Sequence, residues 1–325
     1  MIANAPIEQM PRDELNALQF ERLKKQIKWA LDKSLFYRQK YRNADVSLED
    51  VQSLADIKKL PFMRPTELRS IDSLDILTLP LSGILRFNYM QEASGELTRL
   101  YSRGDVAKNI EMLTRALVAT GITNASIVGL QGDLSDSRFL DLQYALEVIG
   151  AMVVPLGTDY RHWLRLMEIV GMDTLISTPQ LVMQLIIQLQ ATGKNIVDYP
   201  ITKVLCLNLT AIQNPLQQHI HDRMKTKVYN LYAPPELGFA GMLYQCDKHV
   251  GHHVQEDNFL AEVIAFNSDE PVCDETHMGE LVITTLTAEA MPLIRYRTGQ
   301  AVSRMKDECA CGRTFLRVGT PFSYV

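Results

Sequence analysis

The sequence predicts an α/β fold with a helical lead-in, mixed or parallel sheets with helices, and a β-rich second half. Apolar residues recur at helical spacing near the start, and β-branched runs alternate with helical segments in the middle. Strand-like runs become more frequent after residue 228. With 325 residues, 46% of them hydrophobic, the chain can form one large domain or two close-packed subdomains.

The helical lead-in is predicted over residues 1–82. Within the charged stretch 14–42, the apolar residues that fall on one helical stripe are Leu18, Leu23, Ile27, Ala30 and Leu31. A break at Leu60-Pro61-Phe62 precedes a second helix that starts near Pro65, because proline is well tolerated in a first helical turn.

An α/β subdomain is predicted over residues 83–226, followed by a β-rich subdomain over residues 227–325. In the first, strands are expected at 126–130, 152–156, 174–177 and 204–209, and helices at 139–149, 163–170 and 179–191. This alternation is typical of a parallel sheet with helical crossovers. In the second, strands are expected at 227–231, 261–266 and 279–286.

Charge and hydropathy narrow the class of protein. The net charge of −5 argues against nucleic acid as a partner, and no apolar run approaches the ~20 residues of a membrane span. The first residues do not form a secretory signal. Five cysteines do not suit a disulfide framework, so we expect a cytoplasmic protein.

The cysteines divide by their surroundings. Cys206 lies in an apolar strand and is expected in the core, and Cys273 follows a turn and is expected to be exposed. Cys309 and Cys311 are too close in sequence for an ordinary disulfide, and their spacing is more typical of metal ligation.

Five segments, in order and spacing, resemble the phenylacetate-CoA ligase branch of the adenylate-forming (ANL) superfamily, over about residues 20–318. The segments are SLFYR at 34–38, LPF at 60–62, GELVITTL at 279–286, PLIRYRTG at 292–299 and CACGRT at 309–314. The resemblance implies the N-terminal domain fold of that superfamily. The mobile C-terminal domain of the family, with its catalytic lysine, is expected to be absent.

The resemblance also implies a two-step reaction. A carboxylate attacks the α-phosphate of ATP, held with Mg²⁺, and the thiolate of CoA then displaces AMP. The implied substrate is a small aromatic or acyl carboxylate or its thioester. Neither a nucleic acid nor a membrane is expected as a partner. A homodimer and a partner or carrier protein remain open.

The nucleotide motifs of the family are only partly present. The phosphate loop corresponds to Ala93-Ser94-Gly95-Glu96-Leu97-Thr98-Arg99, which lacks the Gly-Lys-Pro of the family. We expect it to form a solvated turn, in which Glu96 would repel a polyphosphate. The alternative is that Arg99 substitutes for the missing lysine.

The remaining nucleotide contacts are similarly altered. Tyr232 matches a residue that stacks on adenine, although a core role is equally open, and Glu236 matches the Mg²⁺ ligand and is the candidate catalytic residue. Pro235 replaces a hydroxyl residue, and residues 208–211 replace a Gly-Ala-Glu-Pro turn. Arg297 and Gln300 complete the residual site, with Gln300 in place of the aspartate that binds ribose.

The metal motif is better preserved. Cys246, His253, Cys309 and Cys311 match the Cys-x6-His and Cys-x-Cys spacing of the family, and three thiolates with one imidazole suit a structural Zn²⁺. His249 and His252 are alternative ligands. The competing interpretation is that these are separate buried cysteines and surface histidines.

Three functions therefore compete. The first is an adenylating enzyme or acid-CoA ligase completed by a separate C-terminal domain. The second, which we favour, is a repurposed homologue that transfers or condenses acyl or aryl groups in a biosynthetic pathway and activates ATP poorly. The third is a non-catalytic binding or scaffold protein. Nucleotide binding distinguishes them.

Overall fold

The computed structural model describes residues 1–92, 95–133, 135–157, 159–208, 212, 214–266, 268–272 and 278–324. Its α/β fold confirms the predicted fold class. The chain groups into two compact units, one formed by residues 1–3 and 109–252 and the other by residues 4–108 and 253–325. The division into stretches 1–82, 83–226 and 227–325 stays a prediction.

Helices and 3-10 turns precede the first strand, and most of the later helices lie between strands. The α-helices are α1 (Ala5–Glu8), α2 (Arg12–Lys33), α3 (Leu35–Asn43), α4 (Pro65–Ser70), α5 (Ser73–Ile76), α6 (Arg103–Ala119), α7 (Ser137–Ile149), α8 (Tyr160–Val170), α9 (Pro179–Ala191) and α10 (Asn214–Met224). The 3-10 turns are Leu48–Asp50, Leu54–Lys59, Leu81–Gly83, Ile196–Asp198 and Pro235–Leu237. No described helix is long and apolar enough to cross a membrane.

The strands become denser in the second half, as predicted. They are β1 (Ile84–Glu92), β2 (Gly95–Ser102), β3 (Ile127–Gln131), β4 (Met152–Leu156), β5 (Thr174–Ser177), β6 (Lys203–Asn208), β7 (Lys227–Tyr232), β8 (Leu243–Tyr244), β9 (His252–Val254), β10 (Phe259–Ile264), β11 (Met278–Thr285), β12 (Tyr296–Met305), β13 (Arg317–Val318) and β14 (Phe322–Ser323).

The first unit contains the predicted parallel sheet. Its strands follow the order β4-β3-β5-β6-β7, all parallel, and β8 adds antiparallel to β7. Helices α7 to α10 connect consecutive strands, as parallel pairing requires. The strands predicted at 152–156 and 174–177 and the helix predicted at 179–191 have the observed bounds.

Local sequence fixes the ends of these helices. Asp136, Asp159 and Thr178 cap α7, α8 and α9 by accepting a backbone N–H of the first turn. Gly150 and Gly171 end α7 and α8 in the left-handed conformation, which glycine adopts without steric cost.

The core of the first unit packs these helices on the sheet. Trp163 of α8 is fully buried, and its indole N–H donates to the carbonyl of Gly157 at 2.7 Å. Cys206 on β6 is also fully buried, which confirms its predicted core position, and burial raises the pKa of its thiol to about 12. This cysteine is therefore an inert apolar side chain.

The second unit contains an antiparallel sheet. Strand β11 pairs with β10 and β12, and β12 also pairs with the short strands β13 and β14. The pairing shifts register between Glu280 and Val282, which is the signature of a β-bulge. Glu280 next to this bulge becomes a hydrogen-bond acceptor for the following strand, as described below.

The predicted helix over 14–42 is two helices, because Ser34 interrupts it. The extended backbone of Ser34 caps α3, and its hydroxyl donates to the carbonyl of Asp75 at 2.7 Å. Leu23, Ile27 and Ala30 of the predicted stripe are buried, whereas Leu18 and Leu31 are only partly buried.

Two glutamines of α2 are buried beside that stripe, which apolar periodicity did not predict. Gln19 donates to the carbonyl of Glu256 at 2.8 Å, and Gln26 donates to the carbonyl of Ala288 at 2.9 Å. These bonds satisfy the amides and so make their burial tolerable.

The segment predicted to form a solvated turn is a β-hairpin, so that prediction was wrong for residues 95–99. Strand β2 pairs antiparallel with β1, from Glu92 opposite Gly95 to Ile84 opposite Ser102. The backbone therefore finds its hydrogen bonds in a ladder and not in water. Ala93 and Ser94 lie outside the described residues, as do Cys273 and the replaced turn residues 209–211.

Candidate metal centre and nucleotide motifs

Three cysteines and one histidine come together in a cluster. The ligand atoms of Cys246, His253, Cys309 and Cys311 all lie within 4.8 Å of one another. A tetrahedral Zn²⁺ with bonds of about 2.0–2.3 Å places its ligand atoms roughly 3.5–4 Å apart. Small side-chain rotations would therefore close the cluster around an ion, and the cluster could hold a metal.

Tight turns present these cysteine side chains. The carbonyl of Cys246 accepts the N–H of His249 at 3.0 Å, and the carbonyl of Cys309 accepts the N–H of Gly312 at 2.9 Å. Both turns use the left-handed conformation, with φ of 55° at His249 and 83° at Gly312. Gly312 adopts it without penalty, which explains a glycine directly after the second cysteine of the Cys-x-Cys motif.

The structure distinguishes among the histidines. The Nε2 atom of His253 lies 3.5 Å from the Sγ atom of Cys311. His252 precedes it on β9, and successive side chains of a strand point to opposite faces, so only one of the two can face the thiols. The ring of His249 instead packs on Tyr229, with ring centroids 4.2 Å apart.

The N-terminal residues hold the loop that carries Cys309 and Cys311. Arg313 forms a fully buried ion pair with Glu8, whose backbone carbonyl also accepts the N–H of Thr314 at 3.0 Å. Arg12 binds both oxygens of Glu256, at 2.8 and 3.0 Å, and the carbonyl of Thr314 at 2.6 Å.

Sequence reasoning missed these contacts between the N-terminal residues and the loop. The only available signal was the arginine within the CACGRT segment, because its acidic partner is more than 300 positions away.

The candidate Mg²⁺ ligand and the candidate adenine contact lie at the end of β7. Tyr232 is the last residue of that strand and is fully buried. Glu236 lies in the 3-10 turn Pro235–Leu237 and is 6% exposed. Gly238 ends this turn with φ of 59°. The turn therefore fixes the backbone on both sides of Glu236.

The two other candidates lie on β12. The guanidinium of Arg297 binds Glu280 through Nε at 2.6 Å and Nη2 at 2.5 Å, and binds Asp269 at 3.1 Å. Gln300 is buried, and its amide oxygen has no hydrogen-bond partner among the described residues. Arg297 is thus occupied by carboxylates, while Gln300 offers an acceptor.

The hairpin places Glu96 and Arg99 on opposite faces. Glu96 is exposed, and its carboxylate hydrogen-bonds the hydroxyl of Tyr89, which raises the pKa of that tyrosine. Arg99 is 4% exposed and donates through Nη2 to the carbonyl of Met291 at 2.6 Å. A strand alternates its side chains, so the expected repulsion by Glu96 does not act on the face of Arg99.

Comparison with curated proteins reveals relatives along the whole chain. The chain is 28% identical over 328 residues to a phenylacetate-coenzyme A ligase of Thermus thermophilus, covering 98% of this chain and 72% of that protein. It is 28% identical over 305 residues to the phenylacetate-coenzyme A ligase of Escherichia coli, covering 92% and 70% respectively. No protein-family profile matches the chain.

Comparison with solved structures gives the fold. A 2-hydroxyisobutyryl-CoA ligase in complex with 2-HIB-AMP and CoA superposes with a TM-score of 0.89 at 20% identity, covering 98% of this chain and 70% of that chain. Another conformation of that ligase superposes with a TM-score of 0.87. The fold is therefore that of the adenylate-forming acid-CoA ligases.

The chain is a homologue of phenylacetate-CoA ligases over most of its length. This confirms the resemblance carried by the five sequence segments.

Proposed function

We propose that this homologue transfers acyl or aryl groups from an already activated substrate better than it activates an acid with ATP. The carboxylate chemistry, ATP, Mg²⁺ and CoA are implied by its similarity to acid-CoA ligases. The substrate class is a small aromatic or acyl acid or its thioester.

The turn Pro234-Pro235-Glu236 carries this proposal. Pro235 is buried at the position where the family has a hydroxyl residue that contacts phosphate. A proline side chain offers neither hydroxyl nor N–H, so it cannot stabilise charge on a phosphate oxygen. Loss of one such preorganised donor typically costs ~10²–10³ in rate.

The two half-reactions differ in their need for that donor. In the first, the carboxylate attacks the α-phosphorus, a P–O bond breaks and pyrophosphate leaves. In the second, the thiolate sulfur attacks the acyl carbon, the C–O bond to AMP breaks, and the thiol proton is released to solvent. Only the first half-reaction handles a triphosphate, so we expect it to be the slower.

The test compares the half-reactions on the same protein. Pyrophosphate exchange with phenylacetate measures the first, and CoA-dependent consumption of synthetic phenylacetyl-adenylate measures the second. We expect the second to be faster by ~10²-fold or more, with Pro235→Thr raising the first by roughly 10-fold or more and leaving the second unchanged. Comparable rates in the unmodified protein would contradict the proposal.

An ordinary acid-CoA ligase is the second candidate. It is favoured by Gln300, whose buried amide oxygen could accept a ribose hydroxyl. Under this alternative, Mg-ATP binds tightly and Gln300→Leu abolishes that binding. If neither half-reaction proceeds and no nucleotide binds, a non-catalytic binding or scaffold function is supported instead.

We also propose that the cysteine and histidine cluster holds a structural Zn²⁺. The proposal is supported by the ligand set, because three thiolates and one imidazole fill a tetrahedron and leave no open position for substrate. When bound, the ion would tie the turn at Cys246 to the loop at Cys309 and Cys311 and contribute directly to folding.

A further inference from the structure

Arg99 differs from five other buried arginines of the chain, which are paired with carboxylates. Its Nη2 atom donates to the carbonyl of Met291, while its Nε and Nη1 atoms are buried with no hydrogen-bond partner in the part of the chain that the structure describes. Among the described residues, no carboxylate forms an ion pair with it. Carboxylate partners are present for the buried arginines in the pairs Arg115–Glu111, Arg138–Asp136, Arg295–Glu262, Arg297–Glu280 and Arg313–Glu8.

An acidic neighbour does not compensate this charge. Glu67 acts electrostatically on Tyr37, as Arg99 does. Both oxygens of Glu67 are bound by Lys40, however, at 2.6 and 2.7 Å. Glu96, on the same strand as Arg99, faces the other side of the hairpin and binds Tyr89. Among the residues that the structure describes, the positive charge of Arg99 therefore has no carboxylate partner.

A guanidinium cannot shed this charge by deprotonation, because it stays protonated in proteins. A buried charge without a partner is strongly destabilising, so a persistent one indicates that its partner comes from elsewhere. The donors left over are one N–H on Nε and two on Nη1, on different edges of the planar guanidinium. The oxygens of a phosphate or carboxylate group are strong acceptors for such charged N–H donors.

We propose that Arg99 is the cationic centre of an oxyanion-binding site on the inner face of the hairpin β1–β2. The ligand is a phosphate or carboxylate group, the two oxyanions that a nucleotide and an organic acid present. This proposal rests on the proposed function, because that function supplies the nucleotide and the organic acid as the two sources of the oxyanion. Because both nitrogens are buried, an anion reaches them only when neighbouring side chains separate, so its association is slow.

The experiment measures binding without turnover, so that its failure is distinguishable from a failure of the half-reactions. Inorganic phosphate and phenylacetate are titrated separately into the protein and into Arg99→Met, with sodium chloride matching the ionic strength. Calorimetry and the unfolding temperature report binding. We expect Arg99→Met to bind roughly 10- to 100-fold more weakly. Arg99→Lys, which keeps the charge but loses the planar guanidinium donors, falls between the two.

Stability in anion-free buffer gives an independent readout. Arg99→Met is expected to unfold at or above the temperature of the unmodified protein, because a buried unpaired charge has been removed. The matched control Arg295→Met breaks a buried pair with Glu262 and is expected to unfold at a lower temperature.

Binding of phosphate alone identifies the natural ligand group as a phosphate, and binding of phenylacetate alone identifies it as a carboxylate. Either result supports the site. Equal binding by the protein and Arg99→Met, or no binding of either probe beyond the chloride control, overturns it.

Discussion

The loop around Cys309 and Cys311 and the layer beneath the hairpin β1–β2 belong to the same compact unit, but they treat buried polar groups differently. In the loop, Arg313 and Glu8 neutralise each other in full burial. Under the hairpin, Arg99 has one carbonyl for its whole guanidinium and acts electrostatically on Tyr37. Tyr41, whose ring packs edge-on against Tyr37, buries a hydroxyl that has no hydrogen-bond partner among the described residues. Arg313 in the loop thus has its counter-charge within the chain, whereas Arg99 has no carboxylate partner among the described residues.

This difference separates stability from binding. A buried charge that is already paired gains little from an added anion, and removing its partner costs much stability. A region that buries hydrogen-bond donors without acceptors is destabilised, and a ligand that accepts those hydrogen bonds stabilises it. The three predictions below test the comparison, beginning with the largest expected effect.

Removing the thiols of the loop should have the largest effect. We expect Cys309→Ser with Cys311→Ser to abolish metal binding and to lower the free energy of unfolding by more than about 5 kcal/mol, because structural zinc contributes roughly 10–16 kcal/mol in small domains. Metal analysis and chemical denaturation measure both quantities. Cys206→Ala, which changes a buried cysteine of the parallel sheet, should retain the metal. Stoichiometric metal in the double variant would show that the cluster is not the site.

Neutralising Glu8 should have the next largest effect. Glu8→Gln leaves the charge of Arg313 buried without compensation, so we expect about 3–5 kcal/mol of destabilisation by chemical denaturation. The control Glu21→Gln removes an exposed partner of Lys25 on α2 and should change stability very little. If the two variants behave alike, the N-terminal residues do not stabilise the loop.

The smallest effects should come from two neighbouring tyrosines of α3. The hydroxyl of Tyr37 donates to the carbonyl of Pro292 at 2.8 Å and accepts the N–H of Ile294 at 3.2 Å. Tyr37→Phe should therefore cost about 1–3 kcal/mol. Tyr41→Phe removes a buried hydroxyl without a partner and should be neutral or stabilising by up to about 1 kcal/mol. Thermal unfolding of both variants would reveal a reversed order, which would contradict the assignment of satisfied and unsatisfied hydroxyls.

Periodicity predicted the regular elements of the first unit well, because each of its strands and helices expresses its own local pattern. The strand at 152–156 and the helix at 179–191 are examples. Periodicity failed where distant partners decide the outcome. Residues 95–99 form a strand because β1 pairs with them, and Gln19 and Gln26 are buried because backbone carbonyls more than 230 positions away accept their amides.

The candidate site divides in the same way. Resemblance to the Cys-x6-His and Cys-x-Cys pattern of the family brought out four residues that the structure places in one cluster. The unused guanidinium donors of Arg99 and the ion pair between Arg297 and Glu280 depend on side-chain geometry, which sequence spacing does not encode. For the nucleotide motifs, the sequence indicates which residues differ from the family pattern. The structure adds which polar atoms have no hydrogen-bond partner among the described residues.

The contacts between residues 8–12 and residues 312–314 also set an order of events during synthesis. The N-terminal segment leaves the ribosome first, but its partners Gly312, Arg313 and Thr314 follow some three hundred residues later. At about 5–20 residues per second, Glu8 waits roughly 15–60 s for its partner. The second unit therefore cannot complete its packing until residues 312–314 have been synthesised, and its first helices remain without these partners throughout that interval.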